Sequence, residues 1–135
     1  MADLTITAAS VVKGANAVLE AGTAGAAITA GQVVYRDSSY KYQLCDADSA
    51  TADAKKIRGV ALNGASDGQP LTILKSGKVT IGATLVAGTT YVLSDTAGGI
   101  APQADLGSGD DVAILGAATS TSEINVAINN TGVTL

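Results

Sequence analysis

The sequence predicts an all-β fold, a small β-barrel or β-sandwich, on three observations. Short stretches alternate apolar with polar residues, as in Leu4-Thr5-Ile6-Thr7 and Ile124-Asn125-Val126-Ala127-Ile128, which is the period of a strand with one buried face. Glycines and Asn-Gly or Asp-Gly pairs punctuate these stretches at turn-like intervals. One turn-and-strand unit also occurs twice, as Ile28-Thr29-Ala30-Gly31-Gln32-Val33-Val34-Tyr35 and as Leu85-Val86-Ala87-Gly88-Thr89-Thr90-Tyr91-Val92.

A shift of 57 positions superposes these two units and also brings Asp53 onto Asp110, Ile57 onto Ile114, Gly59 onto Gly116 and Ala61 onto Ala118 without gaps. Each half then reads as corner, strand, acidic turn region, strand and glycine. This divides a single domain of residues 1–135 into an N-terminal strand and arm (1–25), a first half-module (26–83) and a second half-module (84–135).

Taken in order, Asp3 to Thr7 is expected to form the first strand. Ala8 to Gly25 carries a partial helical stripe, but Gly14, Gly22 and Gly25 interrupt it and favour an extended arm. Gln32–Arg36 and Tyr40–Cys45 read as a hairpin turning at Asp37-Ser38-Ser39, with Tyr40, Tyr42 and Leu44 on one face. Lys56–Leu62 is the next strand. Leu71 and Ile73 are expected to pair with Val79 and Ile81 across a three-residue turn, Lys75-Ser76-Gly77, with Gly77 in the left-handed region. Tyr91–Ser94, a strand near Ile100-Ala101 limited by Pro102, Val112–Leu115 and Glu123–Ile128 complete the set, and Asn129–Leu135 extends the last edge or packs on a neighbour.

The core has to be built without Phe or Trp, and the four tyrosines Tyr35, Tyr40, Tyr42 and Tyr91 are the only aromatic residues. Val, Ile, Leu and Ala bury less area per residue, so contacts between subunits are expected to supply part of the stability. The formal net charge of −4, with no long basic run, argues against nucleic acid as a partner. No basic-then-apolar leader and no stretch of membrane-spanning length is visible, so neither export nor a membrane partner is expected, and the chain is expected to be made in the cytoplasm. The single cysteine, Cys45, is read as a reduced buried thiol, the alternative being a bridge between chains.

The residue types argue against an enzyme. There is no histidine, and Cys45 has no activating neighbour in sequence. Gly107-Ser108-Gly109 lacks the remainder of any phosphate-loop pattern and is read as a turn. Asp46, Asp48 and Asp53, with Asp105, Asp110 and Asp111, are the only sets with a Ca²⁺-like donor chemistry. Their spacing does not match a calcium loop, so they are read as solvated turns, and no metal or cofactor is expected.

As a whole, the chain resembles the small β-rich capsid decoration, or cement, proteins of tailed bacteriophages. The resemblance lies in Ala2-Asp3-Leu4-Thr5-Ile6-Thr7-Ala8-Ala9, Ile28 to Tyr35, Gly59-Val60-Ala61-Leu62-Asn63, Gly68-Gln69-Pro70-Leu71, Leu93 to Ile100 and Leu115-Gly116-Ala117-Ala118. It implies a virion protein on the outer surface of the assembled head, often a homotrimer, whose partner is the major capsid protein. A carbohydrate- or receptor-binding module of a fibre or tail, and a collar or tail component, stay open. Tyrosines clustered in an exposed groove would favour sugar binding, and buried ones cement. Asp3 to Ala24 is expected to fasten the subunit to its neighbours through Leu4, Ile6, Val11, Val12, Val18 and Leu19, leaving a folded β domain when deleted.

Overall fold

Ten strands hydrogen-bond into one continuous mixed sheet in the computed structural model, which describes residues 2–135. They are β1 (Val12–Lys13), β2 (Val18–Ala24), β3 (Val33–Arg36), β4 (Lys41–Leu44), β5 (Gly59–Ala61), β6 (Pro70–Thr80), β7 (Thr90–Leu93), β8 (Ile100–Pro102), β9 (Asp111–Ala118) and β10 (Glu123–Thr134). Three single-turn 3₁₀ helices are the only helical elements among the described residues, so none is long and apolar enough to cross a membrane. The all-β expectation holds.

The strand order β2-β4-β3-β5-β6 returns to its start, because β2 also pairs with β6, from Val18↔Ser76 to Thr23↔Pro70. This closes a five-stranded barrel, and closure removes the unpaired edges that an open sheet would leave. On its far side β6 pairs with β10 (Ile124↔Val79, Val126↔Gly77), and the sheet continues through β9 and β7 to β8. β6 therefore belongs to both the barrel and the second sheet.

Consecutive residues of the shared strands divide between two cores. Val34, Ala61, Leu71 and Ile73 fill the barrel with Ile28, Tyr42 and Ala24. Val33, Val60 and Leu74 face outward and join Val79, Ile81, Leu85, Tyr91, Leu93, Ile100, Leu115, Ile124 and Val126 between the barrel and the second sheet. Strands buried on both faces read as unbroken apolar runs, as in Gly59-Val60-Ala61.

The two halves repeat the same hydrogen bonds at the 57-residue offset. Gly31 N–H donates to Ala61 O and Gly88 N–H to Ala118 O, each at 2.8 Å, while Ala61 and Ala118 donate to Gln32 and Thr89, each at 2.9 Å. Both corner glycines have positive φ, +93° and +84°. The register Val33↔Val60, Val34↔Gly59 reappears as Thr90↔Ala117, Tyr91↔Gly116. Strand orders β4-β3-β5-β6 and β8-β7-β9-β10 correspond and meet at the antiparallel β6–β10 pair. β2 has no counterpart, so only the first half closes.

Three expectations need correction. The stretch Pro70–Thr80 is one strand, not a hairpin: Leu71 and Ile73 face the barrel while Val79 and Ile81 face the other core, so the four never shared a side. Gly77 does have φ +96°, but as a bend within the strand, packed against the backbone of Asn16. Secondly, Val18–Ala24 is a barrel strand and not an arm. Gly22 is required there because a Cβ would lie 2.5 Å from the Tyr42 ring, so the glycine that suggested a loose segment marks a tight one. Thirdly, Asp3–Thr7 is extended but forms no ladder. Leu4 N–H donates to Ile100 O and Thr7 N–H to Gly82 O, each at 2.8 Å, so each end of the segment pairs with a different part of the chain. The alternation of Leu4 and Ile6 reflects one-sided packing on the larger core. Met1, the first residue of the expected arm, lies outside the described residues.

The last strand is tied to the first half by a side chain that imitates a backbone. Asn130 Oδ1 accepts from Ile57 N–H at 2.8 Å, and its Nδ2 donates to Ile57 O at 3.0 Å. Asn130→Ala leaves both peptide groups of this part-buried site without partners and is expected to cost about 1–3 kcal/mol in chemical denaturation.

Candidate functional site

The six residues expected to fasten the subunit to neighbours fall into two groups. Leu4 and Ile6 pack against the larger core and Val11 is buried in it, so these three serve the subunit's own interior. Val12, Val18 and Leu19 remain exposed, at 56%, 52% and 40%. All three lie along one edge of β6, opposite Thr80, Ser76 and Leu74. Val18 and Leu19 straddle a register shift, a bulge that keeps neighbouring side chains out of the regular alternation.

The tyrosines also divide. Tyr42 and Tyr91 are buried, and their hydroxyls find partners: Tyr42 donates to Glu20 Oε1, and Tyr91 accepts from Val86 N–H at 3.1 Å. Tyr40 was expected on one face with Tyr42 and Leu44, but it lies in the turn before β4 with φ +63° and is 73% exposed. The Arg36 guanidinium sits 5.3 Å from its ring centroid. Tyr35, half-buried, faces the same open cleft of about 370 Å³, together with Arg36, Asp53, Lys56 and Arg58. Burial, with the negative charge of Asp37 nearby, pushes the Tyr35 hydroxyl above its usual pKa.

Behind this cleft, strands of the barrel converge on one ion network. Glu20 of β2 accepts from Arg58 Nε and Nη2 at 2.6 and 2.7 Å, and Lys75 of β6 lies 3.3 Å from Glu20 Oε2. Arg58 holds the Glu20 carboxyl down to about 2 against the opposing effect of burial, with Tyr42 and Lys75 assisting. Burial and the Glu20 bond push Tyr42 up to about 12. Because the folded Glu20 titrates below its ordinary value, its contribution is complete above about pH 4.5 and disappears as pH falls toward 2. Glu20→Gln is therefore expected to cost about 2–3 kcal/mol at neutral pH, and denaturation of both proteins between pH 2 and 7 should show the difference closing on the acid side.

At the opposite sign, the loops after β4, before β8 and before β9 gather carboxylates. Asp48, Asp95 and Asp110 place oxygens within 4.8 Å of one another, and Asp110, only 4% exposed, accepts from Gly107 N–H at 2.9 Å. Sequence reasoning grouped Asp48 and Asp110 in separate sets and missed Asp95. What joins them is the pairing of Ala47 with both Ser94 O and Asp111 N–H, which no local spacing encodes. Such an oxygen donor set suits a hard cation, while the Gly107 bond already gives Asp110 a turn-closing role. Burial first, then the Asp48 hydrogen bond, pushes neighbouring Asp46 up to about 6. Its ionisation therefore weakens the fold as pH rises from about 3.8 through 6. Asp46→Asn is expected to raise the melting temperature at pH 7 and leave it unchanged at pH 3.

Cys45 is fully buried, with Sγ 3.6 Å from Lys56 O, and burial pushes its thiol pKa strongly upward. It is unpaired and lies in the interior of the chain. Compared with known proteins, the sequence matches no family model and no curated protein at a significant level.

Proposed function

We propose that the chain is a decoration, or cement, protein of a tailed-bacteriophage head, a non-enzymatic subunit that sits on the outer capsid surface and bridges neighbouring capsomers. Its partners are the major capsid protein and further copies of itself, and a trimer is the number that the family resemblance implies. The observation that carries this reading is the exposed aliphatic set Val12, Val18 and Leu19, which lines one side of β6. Covering such side chains is favourable by about 1.5–3 kcal/mol for each one fully buried. The net charge of −4 supports an outward position, since an acidic surface is repelled by packaged DNA.

A cement bridges surfaces that only the lattice brings together, so each contact raises the effective concentration of the next. Purified protein is to be mixed with undecorated heads and with unassembled capsid protein, and retention compared after sedimentation. Retention on heads alone supports the reading, and Val18→Lys should abolish it without altering the melting temperature. Equal retention by free capsid protein, or by neither, would sink it.

A further inference from the structure

We infer that the cleft between the β3–β4 turn and the start of β5 binds a neutral saccharide, at the scale of a single hexopyranose ring or a disaccharide. This goes beyond the capsid role and stands or falls independently of it. The cleft holds about 370 Å³, within the range of small-molecule sites. Its chemistry is mixed. Arg36 and Lys56 have no ion-pair partner among the described residues and supply donors, Asp53 supplies an acceptor, and the Tyr35 hydroxyl does either. Arg58 is already committed to Glu20 through two bonds.

An anionic ligand would meet Asp37 and Asp53 in this cleft, and a cationic one Arg36 and Lys56. A polyol is compatible with both signs, since each hydroxyl donates to a carboxylate and accepts from a guanidinium or ammonium group. The second requirement is a flat apolar surface, because one side of a pyranose ring presents C–H bonds that are attracted to the negative face of an aromatic ring. Tyr40 provides it. It is 73% exposed where it lines the cleft, with the Arg36 guanidinium 5.3 Å from its ring centroid. Its backbone sits at φ +63°, a conformation disfavoured for a bulky residue and one of the strained conformations that cluster at binding sites.

The test is a titration of the ¹⁵N-labelled full chain with methyl glucosides, galactosides and mannosides and their N-acetylated forms, followed by amide chemical shifts. At least one sugar should bind with a dissociation constant of about 1 mM and move signals around Tyr35, Arg36, Tyr40 and Lys56. Tyr40→Ala should weaken that binding about tenfold while the remaining spectrum stays unchanged, and Asp53→Ala should weaken it without touching the aromatic contact. Glucuronate and inorganic phosphate serve as charged controls. No response to any neutral sugar, shifts located elsewhere, tighter binding of a charged control, or indifference to Tyr40→Ala would each overturn the inference.

Discussion

Gly77→Ala is expected to lower the unfolding free energy by about 3–5 kcal/mol. Two costs coincide at this position. The backbone has φ +96°, which an L side chain rarely adopts, and a Cβ would lie 2.3 Å from Asn16 O and 2.6 Å from Asn16 C. Those atoms are backbone, so no side chain can swing aside to make room. Relief requires moving β6 away from the Asn16-Ala17 segment, which would disturb its pairing with β10 on the other edge, where Val126 faces Gly77. Urea denaturation of the wild type and the variant measures the loss; a change below about 1 kcal/mol would mean that the strand gives way more easily than its packing implies.

Removal of residues 3–24 is expected to abolish cooperative folding. Without β2, β4 loses its parallel neighbour, β6 loses its partner from Pro70 to Ser76, and the barrel opens. Glu20 goes with it, leaving Arg58 and the buried Tyr42 hydroxyl without their acceptor. Removal of residues 2–7 alone is expected to give a folded but weakened protein, down by about 2–4 kcal/mol as Leu4 and Ile6 leave the larger core. Thermal melts with amide spectra distinguish the outcomes, and dispersed signals from the longer deletion would show that the barrel closes without β2.

The legible part of the fold was the part written twice. Ile28 to Tyr35 and Leu85 to Val92 announce their corners and strands, and the hydrogen bonds of Gly31 and Gly88 coincide because the same glycine-led turn precedes the same β-branched strand. Strands that serve two cores were harder. Leu71, Ile73 and Leu74 are all buried, but in different interiors, and alternation carries no label saying which interior a face belongs to. Where a bulge reverses the phase, as within β6, matching patterns on either side look like two strands facing one another. For the candidate site, the tyrosines were identifiable by type alone. Tyr40 and Tyr42 share parity, but the positive φ of Tyr40 takes it off the strand and into the cleft. Asp95 joined Asp48 and Asp110 only through pairing between distant loops.

The shared strand β6 also fixes an order of events during synthesis. Its partners in the barrel, β2 and β5, have left the ribosome before it, so the barrel can close as soon as Thr80 emerges. The segment from Ser76 to Thr80 then waits with one edge unpaired until Glu123–Ala127 arrives to cover it. During that interval the nascent chain exposes Val79 and Ile81, which the finished protein buries completely. Translation speed across residues 81–127 therefore sets how long an adhesive half-finished sheet persists, and slow codons there should favour aggregation over maturation.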